Sequence, residues 1–161
     1  MNKRWAEDAN YWDTTVTPAK SQGEITELLQ DFGAESSMMA QGQTNGRYAW
    51  LVRFRWHDAN YRFSFTPLEC QWPLKQSNFA GKRREHNEQA CYQMGRIACH
   101  FVKAILTAAE AQPGALFGFM ELPSAATRSG IPPVAADLDV STLIDAAPLF
   151  QLPEVIMENE S

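Results

Sequence analysis

Apolar and polar residues alternate with a period of two through RYAWLVRFRW, residues 47–56. Side chains of a strand point alternately to its two faces, so Tyr48, Trp50, Val52, Phe54 and Trp56 share one face and Arg47, Ala49, Leu51, Arg53 and Arg55 the other. The alternation resumes in YRFSF, and with the run before Asn45 it predicts three strands, roughly 35–42, 47–56 and 61–68. Asn45-Gly46 favours a tight turn between the first two, and His57-Asp58-Ala59-Asn60 reads as a four-residue connection between the last two. That connection pairs Trp56 with Tyr61, Phe54 with Phe63 and Val52 with Phe65, and it sets Arg55 opposite Arg62. The expected product is an antiparallel meander with one continuous aromatic face.

Two stretches change period. In SQGEITELLQDFG, Ser21 and Glu24 have capping-box spacing, Ile25, Leu28, Leu29 and Phe32 form one stripe, and Gly33 suits the stop. In REHNEQACYQMGRIACHFVKAILTAAEA, a turn of about 100° per residue places Ala90, Met94, Ile97, Ala98, Phe101, Ile105 and Ala108 on one stripe. Glu85, Gln89, Tyr92, Arg96 and Lys103 fall opposite, so this amphipathic helix can cover the aromatic sheet face. The order α-β-β-β-α implies an α+β two-layer sandwich.

Around this unit the sequence divides simply. Residues 1–19 read as a loosely ordered segment with Trp5 and Trp12 as docking anchors, residues 20–112 as the core, and residues 113–156 as a C-terminal wrap. Within the wrap, an apolar element near 115–122, a helix near 136–147 and an apolar ending from Leu149 to Ile156 are expected, and residues 157–161 read as a frayed tail.

The chain of 161 residues, 45% of them hydrophobic, suits one domain. Its three cysteines, Cys70, Cys91 and Cys99, are odd in number and lack the spacing of a disulfide scaffold, which favours a reduced, cytoplasmic setting. No apolar run reads as a secretory signal or as a membrane span. The net charge is −5, but its distribution is uneven. Residues 1–46 carry three positive and seven negative side chains, residues 47–103 ten and four, and residues 104–161 one and eight, for segment charges of −4, +6 and −7.

Candidate chemistry therefore lies in the basic middle. Arg47, Arg53, Arg55 and Arg62 should project from the sheet face that the long helix leaves uncovered, and opposed like charges on neighbouring strands are unfavourable unless an anion relieves them. A phosphate backbone fits the planar guanidinium fork. The alternative is pairing with the chain's own acids, such as Asp137, Asp139 and Asp145. Lys82, Arg83 and Arg84 stand at the entrance to the long helix, where cations oppose the macrodipole and an anion would be welcome. Arg96 and Lys103, and beside them Lys75, add to the same anion-binding reading.

Other chemistries find less support. On a helix Cys91 and Cys99 sit about 80° apart and His100 about 100° beyond, so they do not converge on a metal. No phosphate-cradling glycine loop and no recognisable catalytic spacing occurs, so no enzyme, cofactor or metal is expected.

SQGEITELLQDFGA, the strand pair ending in YRFSFTPL, and the long helix together resemble small proteins of unassigned function from phages and other bacterial mobile elements. The matching positions are Gly33-Ala34, Pro67, Arg84, Gln89, Arg96, Lys103-Ala104 and Leu106, over roughly residues 21–120, with a weaker echo in FQLPEV and a departure in the loop 124–135. The resemblance implies a phage or mobile-element cytoplasm and transfers no activity. The reading is then a non-enzymatic accessory protein that binds DNA, RNA or a nucleoprotein complex through its basic face. The rival reading is a protein-interaction module, a homo-oligomer or a subunit whose arginine face meets an acidic protein surface.

Overall fold

The central strand carries the fold. In a computed structural model, which describes residues 3–44, 46–122 and 132–134, β1 (Ser36–Thr44), β2 (Arg47–Trp56) and β3 (Ala59–Phe65) form an antiparallel sheet in the order β1-β2-β3. The helices α1 (Pro18–Phe32) and α2 (His86–Ala111) lie on its aromatic face, so the α+β class and the order α-β-β-β-α hold. The core gathers Ile25 and Leu29 of α1, Trp50, Val52, Phe54, Tyr61 and Phe63 of the sheet, and Met94, Ala98, Val102 and Leu106 of α2. The buried indole of Trp50 donates to Tyr48 Oη at 2.8 Å, and that hydroxyl donates to Gln41 Oε1 at 2.6 Å, so its polar edge is satisfied.

The register of the second hairpin differs from expectation. Trp56 pairs with Ala59, Phe54 with Tyr61, Val52 with Phe63 and Trp50 with Phe65. His57 and Asp58, at φ +47° and +61°, supply a two-residue turn with both centres left-handed, which matches the twist of the flanking strands. Ala59 and Asn60 therefore belong to β3. The slip is an even number of residues, so every side chain keeps its face. It does change neighbours: Arg53, not Arg55, stands opposite Arg62.

Three further expectations are corrected. Residues 3–17 are packed rather than loose, because two α2 glutamines reach their carbonyls: Gln93 Nε2 donates to Ala6 O and Asn10 O at 2.9 Å, and Gln89 Nε2 to Trp12 O at 2.7 Å and Thr14 O at 2.8 Å. Gln89, expected on the exposed side of α2, is thus fully buried, while Ala108 is exposed and Ala109 is buried instead. Second, α1 begins before Ser21, since Thr17 Oγ1 accepts the Lys20 amide and Pro18 suits the first turn. Third, the connector around Pro73 and Gly81 contains a second sheet, β4 (Gln76–Phe79) with β5 (Lys82–Glu85). The short apolar element expected near 115–122 is a 3-10 helix, Pro113–Phe119. The expected helix near 136–147, the ending 149–156, the tail 157–161, and Asp137, Asp139 and Asp145 lie outside the described residues.

Ser21 is buried because α1 crosses α2 at Gly95, where an added Cβ would stand 2.9 Å from Ser21 Cβ and Oγ and 3.2 Å from Trp50 Cη2. Overpacking of this kind costs about 1–3 kcal/mol, against a helix-propensity gain of up to about 1 kcal/mol. Gly95→Ala is therefore expected to lower the urea midpoint. Gly23→Ala, on the same pair of helices but with nothing within 4 Å, is expected to stabilise by about 0.5–1 kcal/mol. Equal shifts for the two variants would contradict the close crossing.

Candidate functional site

The sheet face away from the helices carries the arginines, and the chain supplies most of their counter-charge itself. Met120 bridges to Tyr61 at the open edge of β3, and the Glu121 amide donates to Asn60 O at 2.8 Å. Strand-like alternation then sends Met120 toward the core and Glu121 to the arginine side. There Arg53 grips Glu121 bidentately, Nε to Oε1 at 2.7 Å and Nη2 to Oε2 at 2.8 Å, and the carboxylate side chain is only 2% exposed. Arg55 pairs with Glu35 at 3.2 Å and Asp58 at 3.3 Å, and Arg47 donates to Pro67 O with Glu69 at 3.9 Å. Arg62 stands in the same row as Arg53 and is partly buried. The open cationic row expected from the alternation is a charge-matched surface instead. It was legible that the arginines share a face; their partners were not.

Arg96 and Lys103 are on the other layer. Arg96 Nη1 meets Glu24 Oε2 at 2.7 Å, and this hydrogen bond holds the Glu24 carboxyl below the usual range. With Lys103, Glu27, Asp31 and His100 they line an open depression of about 260 Å³ whose charges are mixed. The nine candidate residues therefore do not form one surface.

Lys82, Arg83 and Arg84 lie on β5 and not in the first turn of α2, which starts at His86 with Glu88 following. The argument from cations opposing the macrodipole accordingly does not apply to them. Arg84 turns inward, its guanidinium 4.2 Å from the centre of the Tyr92 ring and 3.2 Å from Gln89 Oε1. Lys82 and Arg83 are exposed, and among the described residues their side chains make no ion pair or hydrogen bond. The loop leading into β4 exposes Trp72 (51%) and Leu74 (75%), and Lys75 Nζ sits 5.2 Å from the Trp72 ring centre. In the sequence this loop reads only as a connector.

At the base of the same hairpin lies a constellation that no spacing announced. Ser77 Oγ is 2.8 Å from His86 Nε2, and His86 Nδ1 is 2.9 Å from Glu7 Oε1. Glu7 also accepts the backbone amides of Gln71 at 2.9 Å and Trp72 at 3.1 Å. Burial pushes the Glu7 carboxyl up, but the Gln71 amide, the His86 ring and the Trp72 amide outweigh it and hold the pKa at about 2. Trp12 packs edge-on against the imidazole at 5.0 Å and Phe79 at 6.3 Å. Burial raises all three thiols, Cys70 and Cys99 to about 11, which keeps them protonated and poorly nucleophilic at neutral pH.

Among the described residues no helix is long and apolar enough to cross a membrane. No protein-family model matches the chain, and neither a curated protein nor a solved structure matches it.

Proposed function

We propose that this protein binds nucleic acid, or a nucleoprotein complex, through the β4–β5 hairpin and the loop before it, as a cytoplasmic accessory protein of a phage or mobile element. One observation carries the reading: Lys82 and Arg83 are exposed with no acid partner among the described residues, close in sequence to the exposed Trp72 and Lys75. One cation, Lys75, at an exposed indole with two more farther along the hairpin suits a single strand, with phosphates on the cations and a base stacked on the indole. The sheet arginines enter this reading only as structural residues, since gripping a phosphate would require Arg53 to release a buried carboxylate.

Contacts from Lys75, Lys82 and Arg83 to three phosphates imply a slope of log K against log salt of about −2. In an anisotropy titration with a labelled single-stranded oligonucleotide, Lys82→Glu/Arg83→Glu is expected to weaken binding at least about tenfold at low salt. Lys103→Glu, on the helix layer, should leave binding unchanged. Absence of binding by the native chain, or equal loss from both variants, contradicts the proposal.

A second reading is favoured by Leu74, the most exposed large apolar side chain described. An apolar residue beside cations also suits an acidic protein surface, and residues 104–161 carry eight acids to one base. Light scattering at two salt concentrations tests self-association through this pairing, which salt should weaken.

A further inference from the structure

We propose that Ser77, His86 and Glu7 form a nucleophilic triad that hydrolyses carboxylic esters with an apolar acyl group. The order of contacts is the one acyl transfer requires: a hydroxyl on one ring nitrogen at 2.8 Å, a carboxylate on the other at 2.9 Å. Glu7 is anchored by two backbone amides, so it holds the Nδ1 proton and leaves the Nε2 lone pair facing Ser77. His86 is buried beneath Trp12 and Phe79, whereas Ser77 is only half buried and remains reachable.

Donors for an oxyanion follow from the strand pairing. Alternate pairs of an antiparallel ladder are hydrogen-bonded. The His86 amide donates to Lys75 O in the same register that pairs Ser77 with Arg84. The amides of Gln76 and Asn78, on either side of Ser77, therefore point away from β5 toward the edge of a sheet that has two strands among the described residues. A carbonyl oxygen arriving at Ser77 along that edge meets an N–H from the residue after the nucleophile. Trp72 and Leu74, on the loop whose amide holds Glu7, offer the apolar surface for the acyl chain.

The step balances with water as the only co-reactant. Ser77 Oγ attacks the ester carbonyl carbon as its proton passes to His86 Nε2. The tetrahedral adduct collapses, the C–O bond to the alcohol breaks, and the alcohol leaves with that proton. Water then adds to the acyl-serine, gives a proton to Nε2, and the acid departs as Ser77 recovers its hydrogen. Ser77 and His86 are the catalytic residues; Glu7 is a positioning residue.

The full-length chain would be treated with an alkyl fluorophosphonate and followed by intact mass and peptide mapping, beside turnover of p-nitrophenyl butyrate. One adduct on Ser77 is expected, lost in Ser77→Ala with an unchanged melting curve. His86→Gln should slow turnover by about 100-fold or more. Glu7→Gln should lower kcat with KM unchanged, which a purely structural tie would not do. A folded native chain without an adduct, or a Ser77→Ala variant that is labelled or turns over substrate as the native chain does, overturns the triad. Oligonucleotide binding is scored separately, because Lys82 and Arg83 take no part in this chemistry.

Discussion

Arg53→Met is expected to destabilise the protein by about 3 kcal/mol, the low end for removing one member of a buried pair. The cost comes from what is left behind. Glu121 is almost wholly enclosed, and both its oxygens are satisfied by the Arg53 fork; without it a buried carboxylate loses two charge-assisted hydrogen bonds. Arg55→Met should cost less than about 1 kcal/mol, because Glu35 and Asp58 are solvated and can do without it. Urea unfolding of the two single variants and of Arg53→Met/Glu121→Leu checks this: the double variant should recover most of the loss, since an apolar replacement of both partners leaves no orphaned charge. Equal, small losses for Arg53 and Arg55 would contradict it. A corollary concerns binding assays. Reversing the charge of Arg53 would abolish any activity by unfolding the sheet edge, so such a loss would not locate a contact.

Acid should unfold the protein through Glu7. Its carboxyl is held at about 2 against an ordinary 4.5. A depressed folded pKa means the stabilisation is fully present above about pH 4.5 and is lost as pH falls toward 2, a linkage of about 3 kcal/mol at 1.36 kcal/mol per pKa unit. Glu24, held down by Arg96, adds a loss of the same sign. Stability measured by urea titration from pH 7 to pH 2 should fall steeply below pH 4.5 in the native chain and less steeply in Glu7→Gln. The two curves should approach each other near pH 2. Parallel curves would show that Glu7 is not specially held.

Elements with strong local periodicity were readable from the chain. The alternation in 47–56 named the aromatic and arginine faces of β2, and they survive a two-residue error in the hairpin because the side-chain repeat is itself two. The turn is hidden in the sequence because His57-Asp58 reaches left-handed geometry without the Asn-Gly signal that marks such turns. The β4–β5 hairpin leaves no mark in the sequence pattern, since four-residue strands are too short to show a period. Periodicity places Gln89 on the solvent side of α2, yet Gln89 and Gln93 are both buried by carbonyls from residues more than 70 positions away.

Periodicity alone thus specified the two helices, the three-stranded sheet and the two faces of that sheet, because those depend on neighbours one turn or one strand pitch apart; the buried face of α2 also takes in Gln89, Gln93, Val102 and Leu106, outside the expected stripe. The pairing of charges and the meeting of Glu7, Ser77 and His86 came only with the folded chain. A carboxylate's partner is set by distance in space, and Glu121 reaches Arg53 across 68 residues and Glu7 reaches His86 across 79. Chain order holds no record of such contacts, which exist only once the edge of β3 and the N-terminal segment have docked.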